Sequence, residues 1–280
     1  MANTFTYLDE CLKNGLTVRW PDGMMPLKIY IAPFTWYEQS KQHQSEGYRQ
    51  MVTSSLDTWV QATKGRFTYQ LVSNLHDSNI DISWRRVDRK SLGHCQYIFN
   101  KEMMLYSAEV SIGVSDGIMH ARYNDPTEVH HTILHEIGHA LGLIGHSRGP
   151  GDIMYVPHQY GVAALSERDK TTIEWLYRLP GAFDFQQKGT ELKLPQPFNI
   201  HNVIDVLSGR KKEPQKEKNN TQPAKPPEEL GVVLDAHHDI LTHMGKFHMA
   251  TQNIQWKGTS SAQKQEKSTP KNKPEDTTKS

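Results

Sequence analysis

Two histidines and one glutamate on a single predicted helix constrain this chain more than any other feature of its sequence. His135 and His139 are four residues apart, so both imidazoles project from the same face of a helix. That spacing suits two ligands of a tetrahedral zinc ion. Glu136 is rotated by about 100° around the helix from His135, which places it beside the metal rather than on it. From there a carboxylate can take a proton from a zinc-bound water, as in metal-assisted hydrolysis.

The segment around this motif has the signals of a helix with a defined start and end. Asp125 is a typical N-cap, Pro126 suits the first helical position, and Glu128 stands where a capping box would place it. Gly142 offers a stop, because glycine tolerates the left-handed conformation that ends many helices. The apolar residues between these ends predict a buried stripe made of Val129, Ile133, Ile137, Ala140 and Leu141.

Two further features follow the helix. His146 is a candidate third ligand, and Met154 lies in a short segment whose tight turn could underlie a metal site. Glu167 is the alternative third ligand, although it falls in a predicted helix cap. The five-residue pattern alone would also fit an ordinary helix with solvated histidines. The features downstream are what favour a metal site over that interpretation.

Segments rich in β-branched and aromatic residues predict five strands before the metal-binding helix. These strands are expected at residues 27–31, 67–72, 81–87, 93–99 and 106–114, with a helix of one wide apolar face at 46–63. This order predicts an α+β fold, in which a twisted mixed sheet has helices packed on one side. Ser166 predicts the cap of a last helix, with Asp169 three residues later.

The composition changes beyond residue 182. We predict a catalytic domain at 1–182 and a mostly disordered polar tail at 183–280, because residues 211–229 and 260–280 have almost no large apolar side chains. Between these stretches, residues 230–256 contain enough leucine, valine, isoleucine and methionine to predict a helix. Such a helix could dock the tail on an unknown protein partner.

Composition and charge argue against several classes of protein. The formal net charge is +1, so no chain-wide attraction to nucleic acid or to an anionic membrane is expected. No stretch approaches the roughly 18 uninterrupted apolar residues of a membrane span. The two cysteines cannot build a disulfide framework, and the polar N-terminus does not look like a signal peptide. We therefore expect a cytoplasmic protein. Export by a route that needs no signal peptide is the alternative.

The run from His135 to Tyr155 resembles the metzincin metalloproteases, and more closely the matrixins. The resemblance implies a metzincin-like five-stranded sheet with an active-site helix and a C-terminal helix, and one catalytic zinc ion. It also implies individual roles: zinc ligands at His135, His139 and His146, a general base at Glu136, a hydrophobic floor at Met154, and a substrate-pocket wall that includes Pro157 and Tyr160. In metzincins the strand that borders the cleft pairs with extended substrate, and residues 93–99 resemble that strand.

The sequence departs from the matrixin pattern in several ways. Gly145 is an extra residue, so His146 stands seven residues after His139 rather than six. Glycine is the residue best able to accommodate such a bulge. We do not find the His-x-Asp signature of the family's structural zinc within residues 15–180, the stretch that resembles the family, which gives no support to a structural zinc or calcium ion. Neither a Pro-Arg-Cys-Gly propeptide nor a signal peptide is seen, and in this the chain resembles bacterial, in particular cyanobacterial, members.

These features together predict a zinc endopeptidase that cleaves peptides or proteins through a water activated by Glu136. The alternative is a zinc-stabilised, catalytically weak protein-binding module. The intact Glu136 argues against that module, because the residue is not required to hold the metal. Among the other histidines, we expect His131 at the rim of the site or behind its ligands, and we favour a surface position for His158 over the alternative that it lines the cleft.

Overall fold

The computed structural model describes residues 5–34, 42–86, 91–114, 125–210 and 236–239 of the chain. Two short strands, β1 (Leu12–Lys13) and β2 (Leu16–Thr17), pair near the N-terminus. The main sheet consists of β3 (Leu27–Ile31), β4 (Tyr69–Val72), β5 (Ile80–Arg86), β6 (Ser91–Phe99), β7 (Leu105–Val114) and β8 (Ala236–Asp239). The helices are α1 (Gln42–Ala62), α2 (Pro126–Ala140), α3 (Glu167–Arg178), α4 (Phe185–Glu191) and α5 (Ile200–Leu207).

The main sheet is mixed and has the strand order β4-β3-β5-β7-β6-β8. The first four of these strands run parallel to one another, whereas β6 is antiparallel to β7 and β8 is antiparallel to β6. The five strands from β3 to β7 confirm the predicted five-stranded mixed sheet and the α+β class. The sixth strand, β8, lies outside β6 and was not predicted.

Alternation along the strands directs one set of side chains into the core. In β5, for example, Ile80 and Ile82 are buried while the residue between them is only partly so. Helix α1 adds Leu56 and Trp59, both fully buried, to the same core. Helix α2 packs against α1, β6 and β7. Among the described residues, no helix has the length and apolar character that crossing a membrane requires.

Two tryptophans from other parts of the chain fix the position of α2. The indole N–H of Trp59 donates to the carbonyl of Leu134 at 3.2 Å, and that of Trp20 donates to the carbonyl of Ala140 at 2.8 Å. Both indoles are completely buried and cannot bond to water, so each hydrogen bond supplies the partner that the indole N–H would otherwise lack. These contacts hold the helix at the level of the histidine motif.

The folded part of the chain continues past the predicted start of the tail. Helices α4 and α5 lie beyond residue 182, and Phe185, Val203 and Ile204 are buried. Strand β8 occupies four residues of the helix predicted at 230–256, so the helix prediction is wrong for those four. The rest of that helix and most of the predicted disordered tail lie outside the described residues. The domain boundary at residue 182 stays a prediction.

Candidate active site

Three imidazoles converge at the end of α2 and the loop that follows it. His135 and His139 lie on α2, and His146 lies in the loop. Nε2 of His139 is 3.1 Å from Nε2 of His135 and 3.2 Å from Nε2 of His146. Two ligands of a tetrahedral zinc ion, each at about 2.0–2.1 Å from the metal, lie about 3.3 Å apart. The observed separations therefore fit three ligands of one shared ion.

Backbone carbonyls fix the tautomers of the two helical histidines. Nδ1 of His135 is 2.8 Å from the carbonyl oxygen of Ile153, and Nδ1 of His139 is 2.6 Å from that of Leu143. A carbonyl oxygen can only accept a hydrogen bond, so each Nδ1 carries the ring proton. In the neutral rings both Nε2 atoms then present lone pairs to one another. Lone pairs at this distance repel unless a cation lies between them, so the donor set suits a metal ion.

Burial keeps two of the three histidines, His139 and His146, neutral. Burial lowers the pKa of His139 well below its usual value, and the neighbouring His146 lowers it further. Burial also lowers the pKa of His146 to about 4. Both rings are therefore neutral near pH 7, which is the protonation state that a metal ion requires of its histidine ligands.

Two glycines shape the loop that brings His146 back to the helix. Gly142 has a φ of +107°, and Leu143 N donates to the carbonyl of Gly138 at 3.0 Å, so α2 ends in a left-handed turn. Gly145 packs against the N-terminal segment, where an added Cβ would lie 1.7 Å from the carbonyl oxygen of Glu10. The extra residue of the loop can therefore only be glycine in this fold.

The alternative third ligand lies outside the cluster. The side chain of Glu167 is 88 % exposed and forms an ion pair with Lys170 at 2.8 Å. Ligand atoms of His135, His139 and His146 instead all lie within 4.8 Å of one another. The structure therefore places His146, and not Glu167, beside the two helical histidines.

Glu136 has the environment of a reactive group. Its side chain is completely buried, and neither carboxyl oxygen has a hydrogen-bond partner among the described residues. Burial raises the pKa of Glu136 well above its usual value, while the positive charge of Arg85 acts in the opposite direction. A buried carboxyl without a partner destabilises a fold, so a residue of this kind next to His135 in the helix is a candidate functional residue.

Strand β6 passes directly over this carboxylate at Gly93. A Cβ added to Gly93 would lie 2.5 Å from Glu136 Oε1 and 2.7 Å from Thr132 Cγ2. Only a residue without a side chain can sit in the strand at this point. Gly93 was not among the predicted site residues, although a glycine in a predicted strand is a known signal of close backbone approach.

Met154 lies beneath the histidine motif. It is completely buried, and a Cβ added to Gly138 would lie 2.5 Å from its sulfur, so the thioether packs against α2 between the two helical histidines. The segment that contains Met154 is also fixed by Asp169, whose carboxylate accepts hydrogen bonds from Ile153 N at 2.7 Å and from the hydroxyl of Tyr7 at 2.6 Å. Since the carbonyl of Ile153 orients the first histidine, this network supports the ligand geometry from outside.

The loop with the candidate pocket residues is attached to α2 through Glu128. One carboxylate oxygen of Glu128 accepts a hydrogen bond from Gly161 N at 2.9 Å, and the other is in hydrogen-bond contact with Nε2 of the buried His158. Tyr160 is exposed and packs edge-to-face on His158 at 4.9 Å, while Pro157 is partly buried. The predicted surface position of His158 is therefore wrong. The predicted capping box is also wrong, because Glu128 contacts this loop instead.

The sequence model of the matrixin peptidase family matches residues 32–178, more than half of the chain. The chain belongs to the matrixin family. Membership in this family implies zinc, and the described residues include one cluster, formed by His135, His139 and His146, that could hold a metal ion. Among solved structures, that of myroilysin has 16 % sequence identity and a TM-score of 0.39, and the match covers 59 % of this matrixin and 99 % of myroilysin. No curated protein sequence matches this matrixin.

Proposed function

We propose that this matrixin is a zinc endopeptidase that hydrolyses internal bonds of extended peptide or protein substrates, with Glu136 as the general base. The observation that carries the proposal is a buried carboxylate, without a hydrogen-bond partner among the described residues, on the residue that follows His135 in the helix whose two histidines converge with His146. His135, His139 and His146 would hold a single catalytic zinc ion. When bound, that ion would polarise the scissile carbonyl and lower the pKa of water to about 7.

Glu136 would carry the proton in both halves of the reaction. Burial raises its pKa, so the carboxyl can hold a proton taken from the attacking water long enough to give it to the leaving amine. The lack of a hydrogen-bond partner among the described residues leaves both oxygens free for this exchange. A protein that only used zinc to stabilise its fold would not need a buried carboxylate at this position, which argues against the binding-module alternative.

The substrate would lie along β6. An extended peptide can add to the edge of a sheet through main-chain hydrogen bonds, without any need for a free terminus. Gly93 of β6 lies against Glu136, so a peptide paired with this strand would present a bond within its chain to the proposed base. Cleavage would therefore be internal. Pro157 and Tyr160 are the proposed wall of the side-chain pocket, and Met154 is the proposed floor beneath the metal.

The test compares the parent with Glu136→Gln on an internally quenched peptide whose two ends are blocked. We expect Glu136→Gln to bind one zinc ion per chain, as the parent does, and to lose roughly 10²–10⁴-fold in kcat. His139→Ala is the matched control, because it should lose the metal and the activity together. Hydrolysis by Glu136→Gln at the parent rate would reject the mechanism. A zinc-loaded parent that cleaves nothing in a peptide library would favour the binding module.

A further inference from the structure

The outer edge of β6 binds a segment of this chain's own tail. Ala236–Asp239, which forms β8, pairs antiparallel with β6, and the register places Asp239 opposite Ser91 and His237 opposite His94. The other edge of β6 is paired with β7. Between Ser91 and Cys95, strand β8 therefore takes N–H and C=O groups that β6 would otherwise present to a partner.

Strand β8 passes the proposed general base. Its pairs at Ser91 and His94 bracket Gly93, which lies against Glu136. Adjacent antiparallel strands are about 5 Å apart, so the backbone of β8 runs one strand away from the strand that covers the carboxylate. The register shifts between Ser91 and His94, where two residues of β6 oppose one residue of β8. Bulges of this kind are frequent next to active sites.

We propose that β8 is an internal occupant of the substrate edge, and that it must leave β6 before a peptide can be cleaved. This rests on the proposed function, in which the substrate pairs with the same edge. Strand addition uses the main-chain groups of the edge strand, and one set of groups cannot bind two strands. The β8 segment and the substrate therefore compete for β6, and activity is lowered by the fraction of molecules in which β8 is paired.

The tether makes this competition independent of enzyme concentration. Only 25 residues separate Arg210 from Ala236, so the segment belongs to the same molecule as the edge and pairs with it at a concentration that does not depend on that of the enzyme. Tethers of this kind give effective concentrations in the mM range. If that concentration is about 3 mM and the segment binds with a Kd of about 1 mM, about one quarter of the molecules are open at any moment. Preventing the pairing should then raise kcat/KM about fourfold.

The experiment uses the full chain with two proline substitutions in the segment. Backbone N–H groups alternate in direction along a strand, so Ala236→Pro and His237→Pro together must remove a donor that faces β6. The matched control is Gln252→Pro with Asn253→Pro, which makes the same change outside β8. Two quantities are measured: kcat/KM on the blocked quenched peptide at several enzyme concentrations, and hydrogen exchange of residues 91–96 without substrate.

We expect the double variant in β8 to show about fourfold higher kcat/KM and faster exchange in β6, with no change in the control and no dependence on enzyme concentration. A synthetic peptide of residues 232–243 should then inhibit the variant competitively at mM concentrations. Unchanged exchange in β6, or a fall in kcat/KM, would overturn the proposal. Inhibition that grows with enzyme concentration would assign the occupant to a second copy and would also overturn it.

Hydrogen exchange separates this proposal from the proposed function. It is measured without substrate, so it reports on pairing even if the protein hydrolyses nothing. Exchange that speeds up in the β8 variant of an inactive, zinc-loaded protein would reject the endopeptidase and keep β8 as the occupant of the edge. If the protein hydrolyses the peptide but exchange in β6 is the same in the parent and in the β8 variant, the endopeptidase stands and β8 is rejected as the occupant of the edge.

Discussion

Replacing Gly93 with alanine should disable catalysis while leaving the metal ligands in place. The added Cβ would lie 2.5 Å from Glu136 Oε1, 2.6 Å from Glu136 Cγ and 2.7 Å from Thr132 Cγ2. Ordinary van der Waals contact begins at 3.4 Å. Either the carboxylate or the strand must therefore move by about 0.9 Å, the difference between the contact limit and the shortest distance. The three atoms nearest to the new methyl group belong to Glu136 and Thr132, and none of them belongs to a histidine.

A displacement of about 1 Å in a catalytic group costs roughly 10²-fold in rate. This corresponds to about 2.7 kcal/mol of transition-state stabilisation. We therefore expect kcat of Gly93→Ala on the blocked quenched peptide to fall about 100-fold. The zinc content after gel filtration should stay at one ion per chain, because the methyl group acts on Glu136 and Thr132 rather than on a ligand.

Gly47→Ala is the matched control. A Cβ at Gly47 would meet nothing within 4 Å, and the residue lies in α1. This variant should keep the parent kcat and gain about 0.5–1 kcal/mol of stability from the higher helix propensity of alanine. A zinc-loaded Gly93→Ala protein with the parent kcat would refute the reasoning, because the strand would then not constrain the carboxylate. A Gly93→Ala protein that has lost both its zinc and its fold would refute the reasoning as well.

The remaining predictions concern packing around the site. Gly145→Ala places a Cβ 1.7 Å from the backbone carbonyl of Glu10, so the loop must rearrange, and we expect faster loss of zinc to a chelator than from the parent. Met154 is fully buried, so Met154→Ala should cost about 2–5 kcal/mol in urea unfolding, whereas Met154→Leu should cost less than about 1.5 kcal/mol. Burial raises the pKa of Cys11 to about 12 and that of Cys95 well above its usual value, so neither thiol should react with a disulfide reagent at mildly alkaline pH until the protein is unfolded.

Local signals predicted the helix that carries the site. Asp125 accepts a hydrogen bond from Thr127 N at 2.8 Å, as an N-cap should, and a left-handed Gly142 follows the end of the helix. Ser166 and Asp169 form the predicted capping box of α3. Each of these features depends on residues within one turn of each other, so the sequence contains all the information that they need.

Long-range contacts are what the sequence could not predict. Glu128 has the position of a capping-box residue, but its carboxylate contacts His158 and Gly161, which are 30 and 33 residues away. A buried partner outweighs a weak local cap, and only the tertiary fold brings that partner near. Helix α5 was missed for a different reason. Its capping box at Asn199 is a local signal, but it lies in a stretch that was assigned to the tail from its polar composition.

The site depends on glycines that let other parts of the chain approach their backbone closely, and not on the histidine motif alone. A Cβ at Gly93 would strike the proposed base, and one at Gly138 would strike the sulfur of Met154. At Gly145 it would strike the carbonyl of Glu10. Each glycine is visible in the sequence, but the group that it approaches belongs to a different part of the chain. The spacing of the motif therefore predicts candidate ligands. The tertiary position of Gly93 shows that β6 borders the proposed base, and the outer edge of β6 is where β8 and a substrate peptide would compete.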